Sequence, residues 1–188
     1  MPISTNNPLL KKNSGMLGKT FVIRQVNGKT VIQSAPKKRD VPTEHQLKTK
    51  ARFMLAVDYA KKQMANPEIK AMYKKAAKGD IPNAYTAALK DFLNKPAVTL
   101  IDVKEYNGEV GSKIHVVAKD DFEVASVRVD IYDATNALLE TGYAAHAKRH
   151  NTWSYAVGKL NAQVAGSRVV VTARDRPRNE GVKEVVVG

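Results

Sequence analysis

Lysine is the residue type in this sequence best placed to bind a ligand, because it is concentrated in the first half of the chain. Residues 1–96 contain 19 Lys and Arg against 6 Asp and Glu, whereas residues 97–188 contain 12 of each sign. The net charge of +13 therefore belongs to the first half, and a module charged in this way attracts polyanions. Sixteen of the 19 cations are Lys, which contacts phosphate as a point charge and lacks the bidentate fork that reads guanine edges. The composition predicts binding to the backbone of DNA or RNA, or to another polyanionic surface, without sequence specificity.

The candidate nucleic-acid contacts lie near the N-terminus, in a basic linker and in a Lys-rich helix. They are Lys11, Lys12, Lys19, Lys37, Lys38, Arg39, Lys70, Lys74, Lys75 and Lys78. Three tyrosines lie near these cations, and aromatic rings can stack on the bases of a single strand. Tyr73 and Tyr85 fall on apolar helical stripes and are expected in the core, which leaves Tyr59 as the stacking candidate. The alternative for the lysines is a solvated surface with no partner.

No combination of residues predicts catalysis. The chain has no Cys, which excludes disulfides, thiolate metal sites and Cys nucleophiles. Neither a phosphate-cradling G-x-x-x-x-G-K-[ST] loop nor a G-x-S-x-G pattern occurs, and no nucleophile, base and orienting group can be named together. We therefore expect a protein that is not an enzyme and that uses no cofactor.

Two groups of residues were weighed as metal ligands, and neither predicts a metal site. His146 and His150 are four residues apart, but Lys148 and Arg149 between them oppose a divalent ion, so residues 148–150 are interpreted as a secondary basic loop. Asp120-Asp121 and residues 174–181 lie at strand ends, where carboxylates of a sandwich sometimes hold Ca²⁺. The arginines in the second segment favour salt-bridged turns, with Asp175 paired to an Arg. Whether these strand ends bind Ca²⁺ is left open.

An arm, a hairpin and a linker are predicted before the first helix. Residues 1–20 lack apolar periodicity and are predicted to be a flexible basic arm. Residues 21–42 are predicted to be a β-hairpin and a basic, Pro-containing linker, with Asn27-Gly28 as the type I′ turn. Pairing Val26 with Lys29 would place the apolar side chains on one face. These are Phe21, Ile23 and Ile32.

Residues 43–96 are predicted to form a small bundle of three helices. Thr43 and Gln46 match a capping box at the start of the first helix. Asn66-Pro67 supplies an N-cap and a first-position proline for the second. The third runs over residues 82–94 and is ended by Lys95-Pro96. The apolar stripe of the first helix consists of Phe53, Ala56, Val57, Ala60 and Met64.

Residues 97–188 are predicted to be all-β, because the hydrophobic period changes from 3.6 to 2 beyond Pro96. Seven short strands are predicted, over residues 98–103, 113–118, 124–133, 137–141, 152–157, 168–173 and 182–187. Their number and spacing favour an immunoglobulin-like sandwich with Trp153 in its core, and a small barrel is the alternative. The predicted fold class is α+β with two modules, an N-terminal helical module with its hairpin and a C-terminal sandwich.

The order of these segments resembles a group of small basic bacterial proteins with no settled function. The resemblance lies in the hairpin, the basic link, helices containing Asn66-Pro67-Glu68 and Asn83-Ala84-Tyr85, and the immunoglobulin-like tail; it implies no functional residues. Residues 53–92 also resemble a high-mobility-group box, although no minor-groove wedge residue matches by motif. The tail, with residues 172–175 and 179–181, is similar to bacterial Ig-like modules, which implies a role in adhesion, the cell surface or virion assembly.

These observations predict a non-enzymatic binding protein of bacterial or phage type. Its basic half would dock on nucleic acid and its Ig-like half would contact a protein, with a homo-oligomer left open. The alternative is a structural component of a large assembly, such as a virion or cell-surface apparatus, in which the basic arm grips an acidic neighbour. Residues 1–15 lack a signal-length apolar stretch, and nowhere do about eighteen apolar residues run together. We expect cytoplasmic synthesis without a secretory signal, no membrane span, and a final site in the cytoplasm or in an assembly.

Overall fold

The computed structural model describes residues 13–26, 29–36, 41–77, 79, 81–147 and 151–188, together with the backbone of Ile3–Ser4. Its contacts divide the chain into two compact units, Met1–Leu47 and Lys48–Gly188. The described part is α+β, with three helices and three antiparallel sheets.

The first unit contains a four-stranded antiparallel sheet. Its strands are β1 (Ile3–Ser4), β2 (Gly15–Leu17), β3 (Phe21–Val26) and β4 (Lys29–Ser34), arranged in the order β1-β4-β3-β2. The predicted hairpin is confirmed, because Val26 lies opposite Lys29 and Ile23 opposite Ile32. The turn residues Asn27 and Gly28 lie outside the described residues.

Strand β2 falls within the segment predicted to be an arm. The chain turns back through residues 18–20, so that Leu17 lies opposite Phe21. Gly18 occupies the left-handed region at φ 59°, which a glycine adopts without steric cost. Three residues are too few for alternation of apolar and polar side chains to appear in the sequence, which is why this strand was not predicted.

Three helices follow, with the ends that their capping residues predict. They are α1 (Glu44–Ala65), α2 (Pro67–Ala76) and α3 (Ala84–Leu93). At the start of α1 the Thr43 N–H donates to Gln46 Oε1 at 2.9 Å and the Gln46 N–H donates to Thr43 Oγ1 at 3.3 Å, which confirms the capping box. Asn66 caps α2 through its side-chain oxygen, with Pro67 in the first turn. Helix α1 begins in the first unit and continues into the second.

The helices share a small core made mainly of alanines. Its buried members are Ala60, Tyr73, Ala84, Ala87 and Ala88. The predicted core position of Tyr73 is confirmed, and Tyr85 is half-buried against the same cluster. Phe53, predicted on the buried stripe of α1, is 47% exposed, because the helical core includes only the C-terminal part of that stripe.

The remaining strands form two four-stranded antiparallel sheets. They are β5 (Ala97–Asp102), β6 (Lys113–Lys119), β7 (Val124–Tyr132), β8 (Leu138–Tyr143), β9 (Ala145–His146), β10 (Thr152–Ala156), β11 (Arg168–Asp175) and β12 (Glu180–Val186). One sheet has the order β5-β6-β10-β9 and the other β12-β11-β7-β8. All seven predicted strands are confirmed to within two residues at each end. The eighth, β9, has only two residues, so its sequence carries no periodic signal.

Residues from both sheets share one hydrophobic core. Val116 of β6, Val129 of β7 and Val171 of β11 are fully buried in it, and Trp153 is buried there as predicted. Each such side chain contributes about 1.5–3 kcal/mol when fully buried. The helices and these strands belong to the same contact unit, and the boundaries predicted at residues 20, 42 and 96 stay predictions.

None of the described helices combines the length and the hydropathy that a bilayer crossing requires.

Candidate nucleic-acid interface and a buried carboxylate cluster

Helices α1 and α2 carry an excess of exposed positive charge. Together they contain eight Lys or Arg against three Asp or Glu, and all eight cations are exposed. Most of the lysines form no ion pair within the part of the chain that the structure describes. These are Lys50, Lys61, Lys62, Lys70, Lys74 and Lys75. Their charge is therefore available to an external partner.

The predicted cation contacts are distributed over both units. Lys19 is exposed in the turn between β2 and β3, in the first unit. Lys70, Lys74 and Lys75 are exposed on α2, in the second. The other predicted contacts lie outside the described residues. These are Lys11, Lys12, Lys37, Lys38, Arg39 and Lys78, and the secondary basic loop of residues 148–150 also lies outside.

A groove of about 630 Å³ lies between the ends of the helices. Lys70 and Lys74 of α2 and the half-buried ring of Tyr85 line it, next to the N-terminal end of α3. Apolar side chains complete the lining, namely Met64, Ala77, Pro82 and Ala84, together with the α3 cap Asn83. Ammonium groups beside an aromatic ring provide contacts for both phosphate and base of a single strand.

Tyr59, the predicted stacking residue, has internal partners for both its ring and its hydroxyl. Its ring centroid lies 5.3 Å from that of Phe92, and its hydroxyl lies 2.9 Å from the hydroxyl of Tyr73. Burial raises the pKa of Tyr59. Stacking of Tyr59 on a base stays a prediction, whereas Tyr85 is the aromatic residue that lines the groove.

The second unit also contains a cluster of three carboxylates. Asp91 belongs to α3, Asp120 follows β6, and Asp175 ends β11. Carboxyl oxygens of the three residues lie within 4.8 Å of one another. Asp91 is 0% exposed and Asp175 2%, so this concentration of negative charge lies almost entirely inside the protein.

Two tyrosines lead to the Asp91 carboxyl. The Tyr73 hydroxyl donates to Asp91 Oδ2 at 2.5 Å, and its ring stacks on Phe122 with centroids 4.2 Å apart. Because Tyr73 uses its one proton for Asp91, the hydrogen bond between the tyrosines must be donated by Tyr59. Burial, reinforced by the carboxylate, raises the pKa of Tyr73 and keeps it a donor.

The other oxygen of Asp91 is unpartnered. Oδ1 is buried and accepts no hydrogen bond from the described residues. Burial, with the negative charges of Asp120 and Asp175, raises the pKa of Asp91 to about 7, although the Tyr73 hydrogen bond acts in the opposite direction. Asp120 lies close enough to accept a hydrogen bond from a protonated Asp91. Burial also raises the pKa of Asp175.

Asn179 holds Asp175 and the C-terminal end of α3 together. Its backbone N–H donates to Asp175 Oδ1 at 2.6 Å, and its side-chain amide contacts Asp175 Oδ2 at 2.7 Å and the Asn94 carbonyl oxygen at 2.9 Å. The same amide nitrogen lies 3.3 and 3.2 Å from two further helix-end carbonyl oxygens, those of Asp91 and Phe92.

The prediction that Asp175 pairs with an arginine was wrong. Its hydrogen bonds come from Asn179, while Arg174 pairs with Glu180 and Arg176 with Glu123, each at 3.5 Å. The reason is the alternation of β11, which exposes Arg174 and turns Asp175 inward.

Comparison with known proteins assigns no family. No protein-family model matches the chain, and no match is found among the curated proteins. The resemblances to small basic bacterial proteins, to a high-mobility-group box and to Ig-like modules therefore remain predictions.

The carboxylate cluster was not predicted from the sequence because its members come from three separate segments. One signal for it exists. Ala84, Ala87, Ala88 and Asp91 recur at i, i+3, i+4 and i+7, so an acidic residue occupies the buried stripe of α3. A carboxylate at such a place requires hydrogen bonds, a proton or a cation.

Proposed function

We propose that this chain is a non-enzymatic binding protein whose basic N-terminal half docks on nucleic acid through phosphate contacts without sequence specificity. The observation that carries the proposal is the set of exposed, unpaired lysines on α1 and α2. Lysines without acidic partners release the counterions of a phosphate backbone when they contact it, which favours binding most at low salt. The excess of Lys over Arg supports contact with the backbone over base readout.

The groove beside α2 supports a single-stranded segment as one form of the ligand. Lys70 and Lys74 are placed to contact phosphates, and the Tyr85 ring beside them offers a surface on which a base can stack. Stacking of this kind tolerates any base, since every base has an aromatic face. The same lysines also serve a duplex, whose phosphates they would meet without stacking.

For the strands of the second unit we propose an immunoglobulin-like sandwich that contacts another protein. Two four-stranded antiparallel sheets with a common core support the sandwich. The edge strands β8 and β12 support the contact, because they expose large apolar side chains. These are Leu138 and Tyr143 of β8 and Val182 and Val186 of β12.

The alternative is a structural component of a large assembly, such as a virion or a surface apparatus, with the basic arm on an acidic protein neighbour. One observation in the first unit favours it. Met16 and Leu17 of β2 and Phe21 of β3 are 63%, 62% and 45% exposed. Apolar side chains exposed together on a small sheet are typical of a surface that another protein covers.

The lysines of α2 provide a test of the nucleic-acid proposal. The triple variant Lys70→Gln, Lys74→Gln, Lys75→Gln should weaken binding to a fluorescent oligonucleotide, because each lost phosphate contact lowers the salt slope by roughly one. Fluorescence anisotropy across a salt series measures both the affinity and the slope. The matched control is Lys104→Gln, Lys113→Gln, Lys159→Gln, which removes three exposed lysines from the strand-rich part.

The comparison between the two triple variants decides the outcome, because both lose the same net charge. Weaker binding and a smaller slope only in the α2 variant support docking through the helices. Equal effects in both variants would contradict a helical interface and would leave only the general attraction of a basic protein.

A further inference from the structure

We propose that Asp91, Asp120 and Asp175 bind a divalent cation that prefers oxygen ligands, with Ca²⁺ as the best fit. The proposal does not depend on nucleic-acid docking, since none of the three residues belongs to the basic face of α1 and α2. It rests on two observations, the spacing of the carboxyl oxygens and the unpartnered oxygen of Asp91.

The spacing of the carboxyl oxygens fits a shared cation. Oxygen ligands lie about 2.3–2.6 Å from Ca²⁺, so two of them on opposite sides of the ion are about 4.6–5.2 Å apart. The oxygens of the cluster lie within 4.8 Å of one another, inside that limit. Carboxylates this close repel each other unless a proton or a cation lies between them.

The unpartnered oxygen of Asp91 is the second observation. Oδ1 is buried and accepts no hydrogen bond from the described residues, while Oδ2 takes the Tyr73 hydroxyl. Buried carboxyl oxygens are nearly always satisfied, because an unsatisfied one is costly to remove from water. A cation coordinated by the three carboxylates would satisfy Oδ1.

Positive side chains do not fulfil this role among the described residues. No Lys or Arg there forms an ion pair with Asp91, Asp120 or Asp175. Arg176, the residue after Asp175, pairs instead with Glu123. Asp120 Oδ2 accepts from the N–H groups of Phe122 and Glu123 at 3.2 Å each, which orients that carboxylate without neutralising it.

The ligand chemistry selects the class of cation. Three carboxylates without Cys or His favour Ca²⁺, Mg²⁺ or Mn²⁺ over Zn²⁺ or Cu²⁺. The three ligands come from a helix end, a turn and a strand end, and Ca²⁺ tolerates such irregular arrangements better than Mg²⁺, which requires a near-ideal octahedron. Water and backbone carbonyl oxygens would complete the coordination.

A bound cation would have a structural consequence. It would join α3 to the end of β6 and to the end of β11, the same elements that Asn179 already links through hydrogen bonds. The helical core and the strand core of the second unit would then be held together at a charged centre. A proton shared by Asp91 and Asp120 is the competing arrangement, and it would be lost at alkaline pH.

The test uses the full chain, freed of metal with EDTA and dialysed at pH 8. Tb³⁺, a luminescent substitute for Ca²⁺, is excited through tyrosine, and Tyr73 lies in direct contact with Asp91. We expect saturable luminescence that Ca²⁺ displaces, together with a Ca²⁺-dependent rise in Tm, because a ligand that binds only the folded state stabilises it. The Asp120→Asn variant should bind at least about tenfold more weakly, since fewer charged ligands lower Ca²⁺ affinity.

The matched control is Asp58→Asn, which removes one exposed carboxylate from α1 and should bind like the unmodified chain. If Asp120→Asn does not fold, Asp91→Asn replaces it, because its amide oxygen still accepts from Tyr73. The proposal is overturned if millimolar Ca²⁺ neither displaces Tb³⁺ nor raises Tm, or if the cluster variants bind as well as Asp58→Asn. Nucleic acid is absent throughout, so the outcome is independent of the docking proposal.

Discussion

Asp91 occupies a place in α3 that its neighbours on the same stripe fill with alanine. Ala84, Ala87 and Ala88 are buried there with it, and its carboxyl faces Tyr73, Asp120 and Asp175. Burial of a carboxylate costs several kcal/mol unless it is hydrogen-bonded or neutralised. A residue this costly is typical of a site with a role beyond packing.

Without a divalent cation, the stability of the chain should fall as the pH rises from about 4 to about 7. The pKa of Asp91 is raised from 3.8 to about 7 in the folded protein, so between these values the folded chain holds a proton that the unfolded chain has released. Stability falls with pH wherever the folded state binds more protons. Thermal unfolding in EDTA across this range measures the effect.

The Asp91→Asn variant is the control for this pH dependence. It should lose most of the decline between pH 4 and 7, because its amide does not titrate, while Asp120 and Asp175 remain in place. A variant that declined as steeply as the unmodified chain would show that other groups cause the pH dependence.

Asn179 acts at the level of the elements, since its side chain connects the β11–β12 turn to the end of α3. The Asn179→Ala variant should lower the free energy of unfolding by about 1–3 kcal/mol, because buried acceptors lose their donor. Chemical denaturation measures the change. Asn107→Ala, whose side chain contacts only Glu109 in its own loop, should change stability much less. Equal losses in the two variants would show that Asn179 does not link these elements.

The elements could be predicted from the sequence wherever the signal was local. The capping box of Thr43 and Gln46 and the alternation of residues 127–132 depend on neighbours along the chain, so the helix start and the strand were placed correctly. The partners of Asp175 depend on which side chains the fold brings near a strand end. Charge alone favoured an arginine, and the inward orientation of this residue on β11 overrode it.

The candidate site was less accessible from the sequence than the elements. The exposed lysines of α2 were predicted because charge and helical period are both local properties. The groove that places Tyr85 beside Lys70 and Lys74 depends on how α2 and α3 pack, which no spacing reveals. The convergence of Asp91, Asp120 and Asp175 is likewise a property of the tertiary structure.

For the molecule as a whole, the important fact is that the helices and the later strands belong to one contact unit. Hydrogen bonds between Asn179 and the end of α3 cross the position of Pro96, as does the stacking of Tyr73 on Phe122. A chain cut at residue 96 would expose these groups, so binding has to be measured on the full-length protein.

The most direct measurement is fluorescence anisotropy of the full-length protein with generic duplex and single-stranded oligonucleotides across a salt series. Docking through lysine–phosphate contacts predicts micromolar binding at low salt that weakens steeply with added salt, with a slope of about −0.9 per phosphate contact on duplex DNA. Absence of binding to both oligonucleotides at low salt would contradict nucleic-acid docking and would leave assembly with an acidic protein as the function to test.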